Sequence, residues 1–123
     1  MDAEDLKKRT KQFGLRVIHL TGALPPSRAA GLIGRQLLRS GTSVGANYRA
    51  ACRARTKPDF ISKASIAIEE ADESLYWMEM LVEAKLIPGE KLTALTKEAN
   101  DIVAALTGSA KTRRASVKPR GRR

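Results

Sequence analysis

Few residues in this chain are arranged for covalent chemistry. His19 is the single histidine and Cys52 the single cysteine, and neither has a second ligand or a base spaced to join it. A structural or catalytic zinc site needs three or four such ligands converging on one point, so no metal site is expected. Ser-His-Asp catalysis would call for a nucleophile elbow, and none occurs. Glu69 and Glu73, and again Glu79 and Glu83, stand four residues apart, which puts each pair on one helix face. A di-metal carboxylate bundle adds Glu-x-x-His motifs to such pairs. This chain has none, so these acids read as solvated or salt-bridged faces. No catalysis and no cofactor are expected. Cys52 reads as a small buried apolar side chain. A lone cysteine also rules out an intrachain disulfide, which suits a reducing cytosol.

The chemistry on offer is cationic. Arg28, Arg35, Arg39, Arg49 and Arg53 fall within about a quarter-turn of one another at ~100° per residue. No acid occurs from Ser27 to Lys57. Guanidinium forks match phosphate oxygens well, so such a stripe could follow a nucleic-acid backbone. The other reading is a solvated face, or pairing with Glu69, Asp72, Glu73, Glu79 and Glu83 further along. From Ser109 the composition changes: Lys111, Arg113, Arg114, Lys118, Arg120, Arg122 and Arg123 follow with no acid, in a chain of net charge +10. Val117 is the only large apolar residue there, so residues 109–123 are expected to form a basic, disordered tail. The tail tips the balance toward a polyanion partner, RNA or DNA. Aromatic interleaving and zinc-finger spacing are both missing, so a salt-sensitive backbone contact is expected rather than base readout.

These residues need elements to carry them. With 123 residues, 42% hydrophobic but only 4% aromatic, one domain of close-packed helices is expected. Gly and Pro punctuate the chain at residues 22–26, 56–58, 88–89 and from 108 onward. Between them apolar residues recur at three- and four-residue intervals. The first helix, about residues 3–21, carries Leu6, Phe13, Val17 and Leu20. The second, about 27–54, carries Ile33, Leu37, Val44, Tyr48 and Ala51, with Ser27 as cap. The third follows Thr56-Lys57-Pro58-Asp59, a start signal of capping residue, first-turn Pro and acid, and runs to about 86. The fourth, about 89–106, carries Leu92, Leu95, Ala99, Ile102, Val103 and Leu106. Short connections between them predict an antiparallel, up-down-up-down four-helix bundle over residues 1–108. No apolar run reaches the ~18 residues a membrane span needs, and the charged start lacks a signal-peptide core. A cytoplasmic location is expected.

The third helix carries more apolar surface than one stripe. Phe60, Ala64, Ile68, Ala71, Leu75, Met78, Val82 and Leu86 lie on one side. Ile66, Trp77, Met80, Leu81 and Ala84 gather nearly opposite. The fourth helix or a connection could cover this second side, or it is an oligomer interface. Self-association through these five residues is the expectation.

In the middle of the second helix, Ser40-Gly41-Thr42-Ser43-Val44-Gly45-Ala46-Asn47 is poor in helix formers. Its small residues would let another helix approach closely. The run from Gln36 through this stretch to Tyr48 resembles the signature of the four-helix bundle proteins first met in 23S rRNA intervening sequences. The later Asp59-Phe60-Ile61-x-Lys63 and Glu69-Glu70-Ala71-Asp72-Glu73-Ser74-Leu75-Tyr76-Trp77 resemble that family's second block. The resemblance implies a bundle assembling as a homopentamer. A related branch is the accessory protein of diversity-generating retroelements, a basic pentamer that binds nucleic acid and a reverse transcriptase. Two functions are therefore expected: a non-catalytic oligomeric nucleic-acid binder, or an adaptor that docks a reverse transcriptase or another protein.

Overall fold

The structure, a computed structural model, describes residues 1–115. Four α-helices pack against one another: α1 Ala3–Gly22, α2 Arg28–Cys52, α3 Lys57–Glu83 and α4 Thr93–Ala115. A 3-10 turn, Gly89–Lys91, precedes α4, and no strand occurs among the described residues. The first three helices start on side-chain caps. Asp2 accepts from the Asp5 N–H at 2.8 Å, Ser27 from Ala30 at 3.1 Å and Thr56 from Asp59 at 3.2 Å. Each satisfies one of the amides that a helix N-terminus leaves without a partner.

α3 ends earlier than the apolar pattern predicts. Ala84 closes it and Lys85 takes a left-handed conformation, φ 60°. The Lys85 N–H then donates to the Val82 carbonyl and the Leu86 N–H to that of Leu81. This is the pair of hydrogen bonds of a Schellman motif, with Lys where Gly is usual. Pro88 lies just past it.

α3 packs against both α2 and α4, whereas α1 lies mainly on α2 and meets α4 along a narrower seam. That arrangement explains the surplus apolar surface. The buried residues of α3 are Phe60, Ala64, Ala67, Ala71, Ser74, Met78 and Leu81, spaced alternately four and three residues apart as in a coiled-coil seam. Trp77 and Met80 are half-buried against the same core, as are Ile68, Leu75 and Val82. Apart from the exposed Ile66 and Ala84, the two apolar sides are thus flanks of one wide buried seam between α2 and α4. Leu81, expected on a self-association surface, is 0% exposed. It belongs to the interior.

The small-residue run of α2 does let a helix approach closely. A Cβ on Gly41 would lie 2.7 Å from a Val17 methyl, and one on Gly45 3.2 Å from the Thr10 carbonyl oxygen. Gly14 faces the same crossing from α1. A second polar feature joins α2 to α3. Ser40 and Ser74, both 0% exposed, place their hydroxyls 2.9 Å apart. Ser74 Oγ also donates to the Glu70 carbonyl, and Ser40 Oγ contacts that of Leu37.

α4 differs most from expectation. It passes through Gly108 and remains helical to Ala115, so residues 109–115 are not part of a disordered tail. The continuation buries Ala110 and sets the Arg113 guanidinium 4.4 Å above the Phe60 ring. These contacts offset the cost of a mid-helix glycine, about 1 kcal/mol. Residues 116–123 lie outside the described part of the chain.

Candidate nucleic-acid interface

Arg28, Arg35, Thr42 and Arg49 recur at seven-residue intervals on α2, two helical turns apart, and so lie along one line. All are exposed. Arg49 and Arg53 rim an open groove of about 490 Å³ between α1 and α2, whose other wall carries Lys8, Lys11, Leu15 and Ile18. Arg28 and Arg35 lie farther along the same face, beside the α1–α2 connection and Leu38. Arg49 and Arg53 also border a concavity at the α2–α3 turn that holds Arg55 and Lys63. None of Lys8, Lys11, Arg28, Arg35, Arg49 and Arg53 forms an ion pair among the described residues.

Arg39 departs from this line. It sits one step around α2 toward α3, where its guanidinium pairs with Glu70 at 3.1 Å and with Glu73. Glu73 also accepts from the Trp77 indole N–H at 2.9 Å. Arg39 therefore serves the α2–α3 seam, and the five-arginine stripe reduces to four. In the basic segment, Lys111 and Arg114 are exposed at the end of α4, whereas Arg113 stacks on Phe60. Lys118, Arg120, Arg122 and Arg123 lie outside the described residues. Of the residues expected at an oligomer interface, Ile66 is exposed, Trp77 and Met80 are half-buried, Leu81 is buried and Ala84 is the exposed cap of α3.

Sequence reasoning missed the α1 half of this face. Lys8, Lys11, Leu15 and Ile18 follow one another at helical intervals, off the stripe of Leu6, Phe13 and Val17. Leu15 is 41% and Ile18 46% exposed. A second, mixed basic and apolar face on α1 was the available signal.

Charge bridges the rim of the α1–α4 seam, beside the shared core that holds Leu6, Phe13, Ile102 and Leu106. Arg9 donates to both oxygens of Glu98, at 2.9 and 2.6 Å, the bidentate geometry that favours arginine over lysine. These bonds raise the Arg9 pKa above its ordinary value against an opposing effect of burial. His19, exposed on α1, places Nδ1 3.1 Å from the Leu15 carbonyl.

Tyr48 links α2 to the end of α4. Burial pushes its phenol well above the ordinary value; the Cys52 thiol adds to this and the Ser109 hydroxyl opposes it. The folded chain thus favours the neutral phenol. That contribution is complete below the ordinary tyrosine value of about 10 and is lost as pH climbs from there toward the higher folded value. In Tyr76→Phe, phenolate absorbance at alkaline pH is expected to rise only together with loss of helical circular dichroism. Absorbance rising first, near pH ~10, would contradict the burial of Tyr48.

With the helices and this face established, comparison with known proteins is decisive. Residues 4–108 match the family described as 23S rRNA-intervening sequence protein. The chain belongs to that family. A crystal structure of a protein of unknown function from the S23 ribosomal protein family of Bacteroides thetaiotaomicron VPI-5482 is similar at 34% identity and a TM-score of 0.81. The alignment covers 86% of this chain and 98% of that one. Among curated proteins none matches. The match to the intervening-sequence family spans α1 to α3 and α4 as far as Gly108, so the last turns of α4 extend beyond it. Among the described residues no helix is long and apolar enough to cross a membrane, and no group of three or more His, Cys, Asp or Glu could hold a metal ion.

Proposed function

We propose that this member of the intervening-sequence family is a non-catalytic homo-oligomeric bundle that binds RNA or DNA through the basic α1–α2 face and the basic C-terminal segment. The carrying observation is the line Arg28, Arg35 and Arg49, with Arg53, on one side of α2. These guanidiniums have no carboxylate partner among the described residues. Side chains so placed can meet successive phosphates without competing with internal ion pairs. An up-down-up-down topology accompanies this reading. Ser40 meets Ser74 while Ala51 clusters with Phe60 and Ala64, so α3 positions fall as α2 positions rise. A pentamer is the assembly that the family resemblance implies.

Binding of a fluorescent RNA and of duplex DNA is expected at ~50 mM salt and should weaken steeply toward ~200 mM. Arg28→Ala and Arg35→Ala should each flatten the dependence of log affinity on log salt by about 0.7–0.9, with little change between sequences. Failure of both nucleic acids to bind at the lower salt would remove this function. A second reading, an adaptor for a reverse transcriptase or another protein, draws on the exposed Leu15, Ile18 and Leu38, apolar groups that phosphate binding does not explain.

A further inference from the structure

Although the chain carries ten net positive charges, one helix face is acidic. Glu69, Asp72, Glu79 and Glu83 are exposed along the outside of α3 and form no ion pair among the described residues. The carboxylates of Glu70 and Glu73, on the α2 side, are already taken by Arg39. Among the free acids stands Tyr76, 51% exposed, and Ile66, 40% exposed, lies just before Glu69. An acidic ridge with an apolar knob is the chemical complement of the α1–α2 groove, where Lys7, Lys8, Lys11, Arg49 and Arg53 outnumber the one acid, Glu4, around Leu15 and Ile18.

We infer that the α3 ridge of one copy docks in the α1–α2 groove of the next. The inference rests on the homo-oligomer reading above and assigns its two surfaces. Tyr76 would cover Leu15 and Ile18, removing these exposed apolar groups from water. The carboxylates would meet the lysines and Arg49 at the rim, where opposite charges set orientation more than affinity. Because ridge and groove are different surfaces, the contact is heterologous and generates a ring where the rotation closes. From Glu69 to Glu83 the ridge spans about 21 Å at 1.5 Å per residue. The line from Arg28 to Arg53 is about 38 Å long on the same scale. A docked ridge engaging Arg49 reaches no farther than about Arg35 and therefore leaves Arg28 for a polyanion.

Light scattering on four forms of the full chain tests this. Glu79→Lys with Glu83→Lys reverses the ridge, and Lys11→Glu with Arg49→Glu reverses the groove. All four positions are exposed, and circular dichroism confirms native helix content. Each reversed form is expected to have the mass of one chain, and the form carrying all four changes should regain the native assembly. Tyr76→Ser supplies an uncharged test of the ridge, with the same loss expected. If the native chain is itself a single copy, the homo-oligomer reading falls and this pairing with it. If the native chain assembles and the reversed forms assemble equally well, only the ridge-and-groove pairing is overturned. Reversed forms that come apart but are not restored by the fourfold exchange overturn it as well.

Discussion

Leu81→Glu is expected to unfold the chain rather than to split an assembly. Leu81 is 0% exposed at the end of the α3 seam, and its carbonyl accepts the Leu86 N–H that closes the helix. A carboxylate there would lose its hydration with no cation supplied in return, at a cost of several kcal/mol. Total stability of a domain this size is about 5–15 kcal/mol, so the loss removes most of it. The milder Leu81→Ala should cost about 2–5 kcal/mol through the cavity it leaves. Thermal unfolding followed by circular dichroism measures both. A Leu81→Glu chain that keeps native helix content and melting temperature would place this side chain at the surface.

Gly41→Leu should be comparably damaging, for a steric reason. The space a Cβ would occupy at Gly41 is already filled by Val17, with methyl carbons at 2.7 and 2.8 Å and its own Cβ at 3.0 Å. Val17 is β-branched and fully buried, so it has no rotamer into which to retreat. Relief would need α1 and α2 to move apart, which would open the close contact of Gly45 with the Thr10 carbonyl. Overpacking of this kind costs about 1–3 kcal/mol for small additions, and a leucine adds four carbons. Gly41→Ala should still destabilise, its gain in helix propensity of up to ~1 kcal/mol only partly offsetting the clash. The same substitution at Gly108, where no atom lies within 4 Å of the added Cβ, should stabilise by about 0.5–1 kcal/mol. Urea titration of the two alanine variants should give shifts of opposite sign. Equal shifts would mean that α1 does not sit on Gly41.

Those two positions show what could be read from residues alone. The glycines in the middle of α2 signalled close approach because small residues in a helix have few other uses, and α1 does cross there. The apolar stripes located Ile33, Leu37, Val44, Tyr48 and Ala51 correctly, since a 3.6-residue period shows directly in the chain. Leu81 was misplaced because periodicity reports which residues share an angle, not how wide a buried arc two neighbouring helices cover. The end of α4 was misread for a related reason. Gly108 and a run of cations resemble a stop, and only the partner surfaces of Ala110 and Arg113 show why the helix continues. The basic face was half legible. Its α2 arginines share one helix, but joining them to Lys8, Lys11, Leu15 and Ile18 requires knowing that α1 lies alongside. Arg39 shows the same limit, since its carboxylates come from another helix.

The Ser40–Ser74 contact has a consequence for how faithfully α2 and α3 align. Much of what these helices bury is small: Ala30 and Ala51 from one, Ala64, Ala67 and Ala71 from the other. Alanines are nearly interchangeable, so sliding one helix by a heptad, about 10.5 Å, would exchange many contacts for equivalents. The seven-residue equivalents of Ser74 along α3 are Ala67 and Leu81, neither of which can answer a hydroxyl. Because each serine already reaches a carbonyl of its own helix, the pair adds little to overall stability. It acts instead as an index mark, penalising misaligned packings that apolar burial alone would tolerate.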